Sequence, residues 1–207
     1  MSAMDIRVLG PLSVRFAGRE LRLGGVKRRA LFAMLAANEM TASASALIDG
    51  LWDGEPPAHP RRTIQVYVSR LRNVLNAIPG ELSGLEVALC ADGYSLAGDP
   101  ETCDLDRFQR LAAKGYALWP ADPGGTRAAL HQALAQWQGE PLREFAREPV
   151  AENEGVRLSF LHSAALDLRV ESDLACGYHL QLVPELAELT RRYPMNERLH
   201  AQPGCTA

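Results

Sequence analysis

Residues 6–25, IRVLGPLSVRFAGRELRLGG, alternate apolar and polar positions, with turn signals at Gly10-Pro11 and Ala17-Gly18. This alternation predicts three short antiparallel strands. From Val26 the period changes: Ala30, Leu31, Met34, Leu35 and Asn38 recur at intervals of three and four. An amphipathic helix of roughly 13 residues follows, with Lys27, Arg28 and Arg29 in its first turn. Ser43 stands as an N-cap before ASALIDGLW, in which Leu47, Ile48 and Leu51 form the apolar stripe and Gly54 follows the end. The prolines of DGEPPAHP fit only a loop or a first helical turn, so a third helix begins between Pro57 and Pro60.

In that third helix Ile64, Val68, Leu71, Leu75 and Ile78 fall on one face, which predicts a buried stripe. Arg61, Arg62, Gln65, Ser69, Arg70, Arg72 and Asn73 spread round the rest of the wheel, and no acidic residue occurs between Arg61 and Pro79. A solvated helix of this length ordinarily mixes glutamate or aspartate with its arginines. Beyond it, Leu85 to Cys90 and Tyr94 to Ala97 read as two strands joined by an Asp92-Gly93 turn. Strands, a helix, a helix-turn-helix with a basic second member and a hairpin follow in the order of a winged helix.

After Cys103 the strand pattern stops. LDRFQRLAAKGYALW carries Leu105, Phe108, Leu111 and Ala112 at helical spacing, and TRAALHQALAQW carries Leu130, Ala133, Leu134 and Trp137, with PADPGG as the turn between them. A longer helix is predicted from about Val150 to Cys176, with Leu158, Leu161, Ala165 and Leu168 inward. Past Gly177, Leu182, Leu186, Leu189 and Tyr193 form another stripe that Pro194 ends, and MNERLHAQPGCTA starts what reads as a further helix. Such antiparallel pairs predict tetratricopeptide-like stacking. The expected fold class is therefore an α+β winged helix-turn-helix over residues 1–98, followed by an all-α, tetratricopeptide-like domain over 99–207.

Charge sharpens this division. The 207 residues carry a formal net charge of −3, yet the first 98 hold eleven basic against nine acidic residues and the remainder eleven against sixteen. The acidity belongs to the second half and leaves room for a basic surface in the first. The acidic residues from Glu140 to Glu154 read as a solvated loop and helix start. Arginine outnumbers lysine twenty to two, a bias that a GC-rich genome explains as well as phosphate recognition does. No apolar run reaches the roughly 20 residues of a membrane span, and the N-terminus lacks the order of a signal peptide, so a soluble, cytoplasmic protein is expected.

Enzymatic constellations are missing. GGVKR lacks the spacing and the hydroxyl residue of a phosphate-binding loop, and no GxSxG, HExxH or paired-carboxylate cluster occurs. Cys90, Cys103, Cys176 and Cys205 lie far apart and read as free thiols, while the five histidines are scattered singly, so neither metal nor cofactor is expected. Duplex DNA fits one region. A helix anchored by an apolar face lies in a major groove, its arginines reaching phosphates or guanine edges and its Gln, Ser and Asn side chains reaching bases or backbone.

VLGPLSV, GGVKRRALFAMLAAN, LIDGLW with the following prolines, RRTIQVYVSRLRNVL and DGYSL resemble, in order and spacing, the DNA-binding domain of the Streptomyces antibiotic regulatory protein family, an OmpR/PhoB-type winged helix. CDLDRFQRL through NERLHAQ resembles that family's bacterial transcriptional activation domain. The resemblance implies an activator of secondary-metabolite gene clusters that binds promoter direct repeats, as a homodimer on double-stranded DNA, and recruits RNA polymerase holoenzyme. Carried over by position, Arg62, Thr63, Gln65, Val66, Ser69, Arg70 and Arg72 match the recognition face, joined by Arg61 and Asn73 of the same helix. Lys27, Arg28 and Arg29 are further phosphate candidates, and Trp52, Asp53, Gly54, Glu55, Pro56 and Pro57 match the loop that approaches polymerase.

Two departures from the family pattern matter. Cys90-Ala91-Asp92 stands where the hairpin commonly carries an arginine, and the chain stops at Ala207 where the family's helical domain continues, which predicts a truncated or unusually short member. The competing expectation is a helical interaction or sensor protein whose winged helix docks protein. A repressor rather than an activator is the alternative within the DNA-binding reading.

Overall fold

The computed structural model describes residues 4–38, 40–78 and 84–192. The helix expected in MNERLHAQPGCTA, together with Tyr193, Cys205 and the side chains of Leu186 and Leu189, lies outside what is described. Two compact units divide the chain: Met1–Arg107 with Gln136–Ser159, and Phe108–Ala135 with Phe160–Ala207.

In the first unit, β1 (Met4–Arg7), β2 (Ser13–Phe16) and β3 (Arg19–Glu20) form the expected antiparallel sheet, in register from Met4↔Phe16 to Arg7↔Ser13. Ala17 and Gly18 make the β2–β3 turn with φ of 47° and 78°. Helix α1 (Val26–Ala37) then buries every residue from Ala30 to Ala37. A helix covered on all sides is a core element, which explains why its apolar positions are denser than a single stripe requires.

A three-residue strand, β4 (Thr41–Ser43), follows α1 and was not expected from the sequence. Ser43 ends it and caps α2 (Ala44–Leu51), its Oγ accepting from the Ala46 amide at 3.1 Å. Pro60 opens α3 (Pro60–Asn76) at the position where a missing N–H costs nothing. The hairpin β5 (Glu86–Leu89) and β6 (Gly93–Ala97) adds to β4 in the order β4-β6-β5. Gly93 belongs to β6 rather than to the hairpin turn. A Cβ there would lie 2.1 Å from the Ala42 carbonyl oxygen, so only glycine lets β6 approach β4.

Residues from beyond the hairpin complete this core. Asp104, at the start of α4 (Asp104–Leu118), accepts from the amides of Val8 at 2.9 Å and Leu9 at 3.1 Å. Burial pushes its carboxyl up to about 6, although those amides pull the other way. The neighbouring Cys103 is wholly buried, and that burial raises its thiol to about 12. The Gln138 amide donates to the Leu9 carbonyl at 2.7 Å, and Leu142, Phe145, Val150 and Leu158 are buried. The packing division therefore differs from the sequence division at 98/99, because side chains from residues 136–159 fill the first core.

Among the described residues, the regular elements of the second unit are all helices: the rest of α4, α5 (Pro123–Leu134), the later part of α6 (Pro149–Ala175) and α7 (His179–Arg192). Alpha-helices 4 and 5 touch closely at Gly115, where a Cβ would meet the Leu130 side chain at 2.8 Å. Thr126 bonds the Gly115 carbonyl there at 3.2 Å. Leu130, Ala133 and Ala165 are buried as the periodicity predicts, whereas Leu111, Leu134, Leu161 and Leu168 are half-buried.

Candidate nucleic-acid interface

The geometry of α3 follows from its apolar spacing. Ile64, Val68, Leu71 and Leu75 are at most 1% exposed and hold one face against the core. The side chains of Arg62, Gln65, Val66, Ser69, Arg70 and Asn73 are exposed, as is Arg61. Among the described residues no ion pair joins Arg61, Arg62 or Arg70, so their guanidinium groups stand ready for an anion. Val66, 42% exposed between Arg62 and Arg70 in sequence, adds an apolar patch suited to a thymine methyl. The Thr63 hydroxyl donates to the His59 carbonyl at 3.1 Å and ties down the first turn.

Arg72 is placed differently from the other three arginines. It is half-buried, and its Nε donates to the Val87 carbonyl of β5 at 2.7 Å. Helical spacing puts Arg61 and Gln65 on the same flank as Arg72, and both line a cleft of about 270 Å³ with Leu89, Cys90 and Tyr94 of the hairpin. The expected site thus has two parts: an outward face around Arg62, Ser69, Arg70 and Asn73, and a flank that meets the hairpin.

Lys27 and Arg29 are committed elsewhere. Lys27 Nζ donates to the Glu148 carboxylate and to the Leu51 carbonyl. Arg29 Nε donates to Glu144 at 2.8 Å and its NH2 to the Leu12 carbonyl at 3.0 Å, while the other Glu144 oxygen accepts from the Leu12 amide at 2.9 Å. The expectation of a solvated loop and helix start over Glu140 to Glu154 is corrected in part: α6 does begin at Pro149, but Glu144 and Glu148 are bound partners of α1. Arg28 turns back over Gly24, whose φ is +100° and where a Cβ would lie 1.7 Å from the guanidinium. None of this was legible in the sequence, since the ion-pair partners are 121 and 115 residues apart.

In the loop after α2, Trp52 is half-buried with the Lys27 ammonium 6.0 Å from its ring centroid, and Asp53, Gly54, Glu55, Pro56 and Pro57 are exposed. The hairpin tip presents Leu89, 73% exposed, with Cys90, Ala91 and Asp92 exposed beside it and no cation. Cys90, Cys103 and Cys176 are free thiols. Among the described residues no group of three or more His, Cys, Asp or Glu side chains could hold a metal, and no helix is long and apolar enough to cross a membrane.

The second unit holds a charged cluster that sequence spacing only hinted at, through the i, i+4 pair Arg169 and Asp173. Both are 3% exposed and meet at 2.9 Å. Asp173 also binds Arg127 at 2.5 Å, Arg169 binds Glu185 at 2.8 Å, and Arg127 lies 4.3 Å from the centre of the Tyr178 ring. The cluster joins α5, α6 and α7 and is consistent with a structural role, since every buried charge is paired.

Comparisons with known proteins bear on what these surfaces serve. The family model of the bacterial transcriptional activator domain matches residues 103–203. Regulatory protein DnrI of Streptomyces peucetius is 34% identical over 205 residues, a match covering 96% of this chain and 75% of DnrI. The chain belongs to the Streptomyces antibiotic regulatory protein family. Within that family of transcriptional regulators, regulatory protein AfsR of Streptomyces coelicolor is 38% identical over 200 residues, but the chain spans only 19% of it. A solved structure titled Mycobacterium tuberculosis EmbR in complex with low affinity phosphopeptide matches with a TM-score of 0.85 and 31% identity, over 96% of this chain and 53% of that one. The antibiotic regulatory family membership therefore extends over both the α3 surface and the helical unit.

Proposed function

We propose that this chain is a sequence-specific, double-stranded-DNA-binding transcriptional activator of a secondary-metabolite gene cluster, acting in the bacterial cytoplasm and without a catalytic role. In this reading α2 and α3 are the helix-turn-helix, α3 the recognition helix, and β5–β6 the wing. Residues 1–98 are the DNA-binding module and 99–207 a tetratricopeptide-like activation module. The observation that carries the reading is the outward face of α3, where exposed arginines stand opposite a fully buried apolar stripe with no carboxylate from Arg61 to Ile78.

Phosphate contacts from Arg62 and Arg70 position such a helix, and Ser69, Asn73, Gln65 and Val66 are placed for base edges. One short helix makes few base contacts, each worth about 1–3 kcal/mol, so useful specificity needs two copies on a direct repeat. The loop Trp52 to Pro57, exposed from Asp53 onward, is assigned to RNA polymerase holoenzyme. Lys27 and Arg29, already ion-paired, carry little of the phosphate binding in this scheme, and Arg28 is the remaining candidate on α1.

Binding to promoter duplexes over a range of salt tests the reading: a steep fall in affinity with salt supports it. The exposed Leu89 and the acidic Asp92 at the hairpin tip favour one competitor, a protein-docking module, which predicts no such salt dependence. Transcription with purified polymerase fixes the sign, an activator raising the yield of transcript and a repressor lowering it.

A further inference from the structure

We propose that Arg72 reads no base and contacts no phosphate, and instead is the positioning residue that sets the hairpin β5–β6 against α3. This rests on the assignment of α3 as the recognition helix. Arg72 is the half-buried member of the helix's four arginines, while Arg61, Arg62 and Arg70 are exposed. Its Nε is spent on the Val87 carbonyl at 2.7 Å, and Val87 is itself fully buried.

Two physical consequences separate Arg72 from its neighbours. With Nε bound to a strand carbonyl, the guanidinium has lost its side-on Nε/Nη pair of donors, and the same bond holds the half-buried side chain toward β5 instead of along the exposed face that carries Arg62 and Arg70. The bond also reaches across from helix to strand, so it fixes the spacing of the flank that Arg61, Gln65, Leu89 and Tyr94 line. A wing without a cation adds no charge-assisted phosphate contact of its own. What it contributes is the wall of that cleft, and the position of the wall depends on Arg72.

The test compares the wild-type 207-residue chain with its Arg72→Ala, Arg72→Lys and Arg62→Ala variants. Each is offered the duplexes that wild type recovers from a randomised pool, over a range of salt, and amide hydrogen exchange is followed in the free proteins. Positioning predicts that Arg72→Ala binds about tenfold more weakly, with base preference and salt slope unchanged, and that the β5 and β6 amides exchange faster. Arg72→Lys, which keeps a donor for the Val87 carbonyl, recovers part of the affinity. Arg62→Ala leaves hairpin exchange unchanged and lowers the salt slope by about 0.9, the value for one lost phosphate.

A reduced slope in Arg72→Ala, a relaxed preference at one base pair, or unchanged hairpin exchange would overturn the positioning role while leaving α3 as the recognition helix. If wild type itself recovers no duplex and shows no salt-dependent binding, the recognition-helix assignment fails, and with it the effect of Arg72 on DNA affinity.

Discussion

Asp104 shows how a single buried carboxylate ties distant chain together. Its oxygens accept both the Val8 and the Leu9 amides, so Asp104→Ala leaves two buried donors unsatisfied and is expected to cost about 2–4 kcal/mol in urea unfolding. Its titration has a definite sign. The folded carboxyl keeps its proton up to about 6, against 3.8 for the ordinary group, so the native state binds more protons between those values. Stability from this group is full below 3.8 and is lost as pH rises through about 6. Wild type should therefore lose stability relative to Asp104→Asn between pH 4 and pH 6, and parallel urea midpoints for the two proteins across that range would contradict the assignment.

Arg29 shows the same logic for a cation that resembles a DNA contact. Bound to Glu144 and to the Leu12 carbonyl, it supports the fold. Arg29→Ala should lower stability by about 1–2 kcal/mol and leave the salt slope of DNA binding unchanged, a slope reduced by about one being the contrary result.

Among the elements, those with a strong local period were legible in the sequence. The stripe Ile64, Val68, Leu71 and Leu75 both predicted α3 and named its buried face, and Ser43 marked the start of α2 through its own hydroxyl. Three-residue β4 has no period to detect, and the role of Gly93 depends on how closely another strand passes. Those are properties of pairing partners some fifty residues apart in the chain, Thr41↔Ser95 and Ala42↔Tyr94, and no local window contains them. Gly93→Ala places a methyl 2.1 Å from a carbonyl oxygen and should detach the hairpin from β4. An expected loss of about 3 kcal/mol, with fast hydrogen exchange in β6, checks this; a variant as stable as wild type would show that the strands can part without cost. Ser43→Ala, by comparison, removes one cap bond and should cost about 1 kcal/mol.

At the scale of the molecule, the first unit is completed by residues that the sequence assigns to the second module. Phe145, Val150 and Leu158 are buried in it, and Glu144, Glu148 and Arg157 bond to α1 and the segments around it. A fragment ending at Gly98 lacks all of these and Asp104, so it should melt well below the full chain, or without cooperativity, by circular dichroism. An equally stable fragment would mean that residues 136–159 add little to the core. Charge reads the same way. The acidity of the second half is partly internal to the fold, because Glu148 and Glu144 pair with Lys27 and Arg29 of α1, while Arg61, Arg62 and Arg70 of α3 stay exposed.

That surface carries the central claim, and the most direct test is the salt dependence of duplex binding by the full chain and by an Arg62→Ala, Arg70→Ala double variant. The account predicts a steep loss of affinity with salt for wild type, and a slope smaller by about 2 for the double variant. Equal slopes for the two proteins, or no salt dependence in wild type, would contradict it.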